Sequence, residues 1–242
     1  MSHYAVAVFH REDQDVDELL APYDENISVA PYVRFTREEA IQFCKDHWSE
    51  EYLVGKSDQE LWESIAEEYG NRTDELGNIY STYNPNSKWD WYQVGGRWGG
   101  DLKVKRSARK NYGEADQVDE ARVGDIDFNY DLEAYNRALR FWDVVVDDAP
   151  QRDDEDIFTI YNKQYYLDYY GDRETYARYC SQWSTFAVIT PNGVWHEKGE
   201  MGWFGCSSDT PDDSKRWNET FQERFIESAD PDWILTIVDC HI

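Results

Sequence analysis

Aromatic and cationic side chains that could bind a nucleotide are concentrated in one short stretch of the chain. Trp89, Trp91 and Trp98 could stack on a base, and Arg97 could hold a phosphate with its guanidinium group. His196, beside a glutamate at the end of a predicted hairpin, could add acid–base chemistry. We therefore predict a ligand-binding pocket formed by these five residues. The alternative is a tryptophan-rich core in which Arg97 is paired with a carboxylate.

The same stretch predicts a β-hairpin. Residues 88–94 alternate in the manner of a strand, Gly95-Gly96 suits a tight turn, and residues 97–104 could return as the partner strand. The indoles of Trp89 and Trp91 would then share one face of the hairpin and form an aromatic platform.

Histidines near the two ends of the chain are weaker candidates for chemistry. His3 begins the first predicted strand and His241 ends the last. If these strands are neighbours, we expect the two histidines to lie at opposite ends of the pair. The run Asp239-Cys240-His241 would place a nucleophile and a base on opposite faces of its strand.

Motifs for metals and cofactors are absent from the sequence. It contains no histidine, cysteine or acidic residues at the spacing of a transition-metal site, and no glycine motif that binds phosphate or a dinucleotide. The sequence therefore predicts no metal and no cofactor. Since no motif fixes a reaction, whether the protein is an enzyme stays open, and a non-enzymatic function is favoured.

The net charge of −26, from 50 acidic against 24 basic side chains, limits the partners. Such a surface repels duplex nucleic acid and anionic membranes and attracts a basic protein surface. The predicted partner-binding residues come from the densest acidic run and are Asp147, Asp148, Asp153, Asp154, Glu155 and Asp156. Mimicry of nucleic acid, docking on a basic partner and solubility in a salty cytoplasm all agree with this composition.

The order of elements predicts an α+β fold. Strand-like runs at both termini, with hairpins and four to six packed helices between them, predict a mainly antiparallel sheet that includes the N- and C-terminal strands. Capping boxes start helices at Thr36 and Ser57. We expect a single α+β domain over residues 1–242, with any internal boundary near residues 147–156.

The cysteines and the terminal residues predict a compartment. Four cysteines lie far apart without a CxxC pair, and the start of the chain lacks the basic and apolar regions of a signal peptide. No apolar run is long enough to span a membrane. These features predict a cytoplasmic protein with free, buried thiols.

Three stretches carry a resemblance to a known family: the start MSHYAV, the central YNPNSKWDWYQVGGRW, and the end, GEMGWFGCSSDT followed by LTIVDCHI. They resemble a family of uncharacterised proteins found in phages, prophages and bacteria. The resemblance implies a phage or mobile-element origin and a role in the contest with host defence.

Together with the acidity, this resemblance predicts an accessory protein of anti-CRISPR or DNA-mimic type. It would act in the host cytoplasm as a non-enzymatic inhibitor that binds the basic surface of a nucleic-acid-directed defence protein. The alternative is a nucleotide sponge or hydrolase with its tryptophan and arginine pocket at residues 89–98.

Overall fold

The chain folds as two compact units. The computed structural model describes residues 2–129 and 131–242. Unit 1 combines residues 2–20 with Lys88–Ile242, and unit 2 is Ala21–Ser87. The segment near residues 147–156, where a boundary was expected, lies inside unit 1. That the chain behaves as a single domain stays a prediction.

Ten strands and eight α-helices are present in the described residues. The strands are β1 (His3–His10), β2 (Tyr32–Phe35), β3 (Ile79–Ser81), β4 (Trp91–Val94), β5 (Leu102–Lys103), β6 (Gln117–Val118), β7 (Glu120–Arg122), β8 (Ala187–Ile189), β9 (Trp195–Glu197) and β10 (Ile234–His241). The helices are α1 (Val16–Leu20), α2 (Arg37–His47), α3 (Glu50–Leu53), α4 (Asp58–Glu68), α5 (Leu132–Val145), α6 (Lys163–Tyr170), α7 (Arg173–Ser181) and α8 (Pro211–Phe221). Four to six helices were expected, and the two shortest, α1 and α3, have only five and four residues.

Six strands of unit 1 form the main sheet. Their order is β4-β10-β1-β8-β9, and β7 also pairs with β10. All neighbours are antiparallel except β1 and β8. The predicted α+β class, with a mainly antiparallel sheet that includes both terminal strands, is confirmed. Because β1 and β10 are buried on both faces along most of their length, they read as continuous apolar runs.

One face of the sheet is covered by α8 and the π-helical turn that follows it. Trp217, Phe221 and Phe225 recur every four residues and pack against Phe9 and Ile237. On the same face, towards the start of β1 and the end of β10, apolar residues give way to polar ones. This polar end of the sheet carries the site described below.

Unit 2 has its own small core. Helices α2 and α4 both begin with capping boxes, Thr36 with Glu39 and Ser57 with Glu60, as predicted. Their apolar faces meet around the buried thiol of Cys44, and β2 pairs with β3. None of the described helices in either unit is long and apolar enough to cross a membrane.

The predicted tryptophan hairpin is wrong. Strand β4 pairs with β10 and not with residues 97–104, because the chain passes from Gly95 into a 3-10 turn at Gly96–Trp98. Both glycines have positive φ, and a Cβ on Gly96 would lie 2.5 Å from the Cβ of Asp239. The glycines are therefore needed for close approach to a neighbouring strand. The second predicted hairpin, the one that contains His196, is confirmed, since β8 and β9 are antiparallel neighbours.

Candidate functional site: a histidine cluster at the end of the sheet

The register of the central strands brings the two outermost histidines together. His3 lies directly opposite His241 across the β1–β10 pair, and Trp91 is the next residue across, on β4. The expectation that the histidines lie at opposite ends is wrong, because the first residue of an antiparallel strand meets the last residue of its partner. Directly opposed side chains project from the same face, so the three rings form one row.

A buried carboxylate orients the first imidazole. Asp239 precedes His241 by two residues on β10, so both side chains point to the same face. Its Oδ1 accepts a hydrogen bond from Nδ1 of His3 at 2.8 Å, and its Oδ2 accepts one from the backbone N–H of Arg97 at 3.0 Å. Because an ionised carboxylate only accepts, neutral His3 carries its proton on Nδ1 and presents a lone pair at Nε2.

The second imidazole is held in the same way. Nδ1 of His241 donates to Oδ1 of Asp90 at 2.5 Å, and the backbone N–H of Asp90 donates to the His241 carbonyl at 3.0 Å. The two imidazole centroids are 4.9 Å apart, edge to face, and the Trp91 ring lies 6.2 and 6.5 Å from them. Two imidazoles, each oriented through Nδ1, thus meet beside an indole. We call His3, Asp90, Trp91, Asp239 and His241 the histidine cluster.

The histidine cluster reaches solvent. The side chains of His3 and His241 are 16% and 14% exposed, and Trp91 is 49% exposed. The residue next to His3 is tied to a glycine-rich loop, since the Ser2 hydroxyl donates to the Gly202 carbonyl and accepts from the Gly205 N–H, both at 2.6 Å. The start, the centre and the end of the chain therefore meet at the row formed by His3, Trp91 and His241.

Two of the five predicted ligand-binding residues belong to this place. Trp91 is part of the histidine cluster. Arg97 is exposed, and its backbone N–H is the second donor to Asp239. The Arg97 guanidinium group forms no ion pair within residues 2–129 and 131–242. Its charge is therefore not used by the fold.

The other three predicted residues lie elsewhere. Trp89 is buried, and its Nε1 donates to the Leu20 carbonyl at 3.3 Å, so it does not share a platform with Trp91. Trp98 packs against the core beneath α8. His196 lies on β9 with its ring centroid 5.4 Å from that of Phe225.

The predicted partner-binding residues divide into free and paired carboxylates. Those that are exposed and have no ion pair with any residue described are Asp147, Asp153, Asp154 and Asp156. Asp148 binds Nζ of Lys163 at 2.6 Å. Glu155 accepts from Nε and Nη2 of Arg140 at 2.7 and 2.6 Å, and this pairing lowers the pKa of Glu155 to about 2. We call residues 147–156 the acidic segment.

The histidine cluster suits proton transfer on a small polar ligand, because a neutral imidazole accepts a proton and an imidazolium donates one. Within the described part of the chain, no three or more histidine, cysteine or acidic side chains are grouped so that they could hold a metal ion. Sequence reasoning missed Asp90 and Asp239 as orienting groups. The available signal was the single carboxylate inside the apolar run Ile234–His241.

Comparison with known proteins assigns no function to the chain. No family model, no curated protein and no solved structure matches it. The histidine cluster and the acidic segment are therefore the observations on which a functional proposal can rest.

Proposed function

We propose that unit 1 binds a nucleotide-type phosphate ester at the histidine cluster and hydrolyses it by general acid–base catalysis. One observation carries this proposal: two imidazoles, each bound through Nδ1 to a carboxylate, meet at 4.9 Å beside a half-exposed indole. Trp91 would stack on the base, and the unpaired guanidinium group of Arg97 would bind the phosphate.

In the proposed reaction, the oxygen of water forms a bond to phosphorus while the bond from phosphorus to the leaving oxygen breaks. Nε2 of one neutral imidazole accepts the proton of the attacking water. Nε2 of the other imidazole, in its protonated form, donates to the leaving oxygen. Asp90 and Asp239 touch no reacting atom and act as positioning residues, because they hold the imidazole rings and their tautomers. Each proton transfer of this kind contributes about 10²–10⁴ to the rate.

The test is a panel of nucleotides and dinucleotides, assayed for binding by calorimetry and for hydrolysis. We expect His3→Gln and His241→Gln each to lower turnover at least 100-fold, in the range of a lost acid or base. Trp91→Ala should weaken binding by about 1–3 kcal/mol, as for the loss of one stacking ring. His47→Gln, at an exposed position of α2, is the matched control.

The Asp239→Asn variant tests whether Asp239 positions the His3 ring, as distinct from supporting the fold. An amide offers one oxygen, and we expect this oxygen to stay on the Arg97 N–H while the NH₂ group faces Nδ1 of His3. The proton of His3 then moves to Nε2, and nitrogen NMR should report the change of tautomer together with lost turnover. Binding without turnover in the wild type would retain the ligand site and remove the catalytic part, which leaves a nucleotide sponge. If no nucleotide or dinucleotide in the panel binds, both the proposed ligand site and the proposed catalysis are overturned.

The acidic segment supports a second candidate function. We propose that this protein is of phage or mobile-element type and inhibits a host defence protein that acts on nucleic acid. It would bind the basic surface of that protein in the anti-CRISPR or DNA-mimic manner. The supporting observation is that Asp147, Asp153, Asp154 and Asp156 are exposed and, within the part of the chain described, unpaired. Competition between this protein and DNA for a purified defence nuclease tests it. Undiminished DNA binding by the nucleases tested would contradict it.

A further inference from the structure

A wide groove lies on unit 1 beside the acidic segment. Its volume is about 710 Å³, and it is lined by α5, by the chain that follows Glu155 and by α7. Apolar side chains dominate its floor, which includes Ala138, Phe141, Phe158 and Tyr176. Binding clefts of proteins have volumes of about 300–1,000 Å³, so the groove is large enough to receive part of another molecule.

Large apolar side chains beside the groove are exposed to solvent. Phe158 is 77% exposed and Ile160 is 78% exposed, and Leu132, which precedes the groove residue Glu133, is 73% exposed. Single exposed apolar residues are ordinary, but a set beside an open groove is typical of an interaction surface. The fold gains nothing from leaving these side chains uncovered.

The charges around the groove are unbalanced. Arg137 pairs with Glu133, and Arg140 and Arg152 both pair with Glu155, so the three nearby guanidinium groups are all engaged within the chain. Asp153, Asp154 and Asp156 have no such partner among the residues described here. The surroundings of the groove therefore carry five carboxylates against three guanidinium groups. The excess of two negative charges opposes an anionic occupant such as nucleic acid or an acidic membrane.

We propose that this groove binds a cationic amphipathic helix of a partner protein. The apolar side of that helix would cover Phe158 and Ile160, and lysine or arginine side chains at its edges would meet Asp153, Asp154 and Asp156. A helix fits because the groove follows α5, and helices dock into apolar grooves through residues three and four apart. The inference deepens the second candidate function and rests on it, and it does not involve the histidine cluster.

The test uses a synthetic peptide as probe. It is a fluorescent helical peptide of about 18 residues, or five turns, with leucines on one face and lysines on the other. A second peptide has serine in place of leucine and the same charge. Binding is measured by fluorescence anisotropy at about 0.1 M salt. We expect the leucine peptide to bind the wild-type protein at least tenfold more tightly than the serine peptide.

Two double variants locate the site, and a third controls for charge. Phe158→Ala/Ile160→Ala and Asp153→Lys/Asp154→Lys should each weaken binding about tenfold or more, equal to about 1.4 kcal/mol. Glu67→Lys/Glu68→Lys makes the same change of charge at exposed positions of unit 2, and should change affinity by less than about twofold. Circular dichroism confirms that each variant is folded.

Three results would overturn the proposal: no binding of the leucine peptide, equal binding of both peptides, or an equal loss in the Glu67/Glu68 control. The last two would show attraction to net charge without a groove. His3→Gln should leave peptide binding unchanged. The peptide experiment therefore does not depend on whether the histidine-cluster proposal is right. Failure of the inhibitor proposal is read from the DNA competition, which can succeed even if the peptide does not bind.

Discussion

Asp239 is the residue whose position is hardest to explain by folding alone. Its side chain is 3% exposed on the central strand β10, where an uncompensated carboxylate is strongly unfavourable. Two donors, Nδ1 of His3 and the N–H of Arg97, compensate it. Hydrogen bonds to charged groups contribute about 1.5–3 kcal/mol each, which offsets the burial without making the carboxylate a better core residue than valine. A site function explains its presence more directly.

His196 makes the stability depend on pH. Burial, and secondly the nearby charge of Arg224, lower the pKa of His196 below its ordinary value. The folded state therefore binds this proton less readily than the unfolded chain. Stability is fully present above the unfolded pKa of about 6.5 and falls as the pH drops below it, until the folded pKa is reached.

We expect His196→Phe to remove this dependence. The substituted ring keeps the contact with Phe225 and cannot be protonated. Melting temperatures between pH 8 and pH 5.5 should fall less in the variant than in the wild type, with the difference appearing below about pH 6.5. Parallel curves for the two proteins would show that His196 is not the responsible group.

At the scale of elements, the turn after β4 is the structural support of the histidine cluster. Gly96 has φ of +53°, and a Cβ there would meet Asp239 at 2.5 Å. Gly113 has φ of +63° and nothing within 4 Å of its Cβ position, so it offers a control with the same backbone and no clash. Comparison of alanine at the two positions isolates the contact with the carboxylate.

Gly113→Ala should cost about 1–2 kcal/mol, the penalty of a left-handed alanine. Gly96→Ala should cost that amount and a further ~1–3 kcal/mol for overpacking, because the added Cβ would clash with the buried side chain of Asp239. It should also shift the His3 resonances, since Asp239 must move. Denaturant unfolding and NMR measure these effects. Equal free energies of unfolding for the two variants would mean that the turn does not press on Asp239.

The elements also show where the sequence was informative. The capping boxes at Thr36 and Ser57 were predicted because each is a contact within one helical turn. The partner of β4 was missed because it lies far along the chain, with Val94 opposite Val238. The register of β1 and β10 was also hidden, since strands buried on both faces lack the alternation that specifies it. The histidine cluster depends on that register.

At the scale of the whole molecule, charge dominates. If every one of the 24 basic side chains paired with an acidic one, 26 of the 50 acidic side chains would still lack a cation. The acidic segment is one local part of this excess. Repulsion among like charges destabilises a compact chain, and exposed ion pairs contribute only about 0–1 kcal/mol each in return. Screening should therefore remove more repulsion than attraction.

We expect the melting temperature to rise as sodium chloride is increased from about 0.1 M to about 1 M, where the screening length shortens from about 10 Å to about 3 Å. Asp153→Lys/Asp154→Lys and Glu67→Lys/Glu68→Lys each change the net charge from −26 to −22, because each substitution adds two positive charges. Repulsion grows with the square of the net charge, so both variants should lose roughly a quarter of the salt response. Calorimetric melting curves over the salt series measure this response.

A wild-type melting temperature that stays constant or falls as salt increases would show that repulsion among the acidic side chains does not destabilise the fold. If only the Asp153/Asp154 variant loses salt response, the repulsion is concentrated in the acidic segment, and net charge is not the governing quantity.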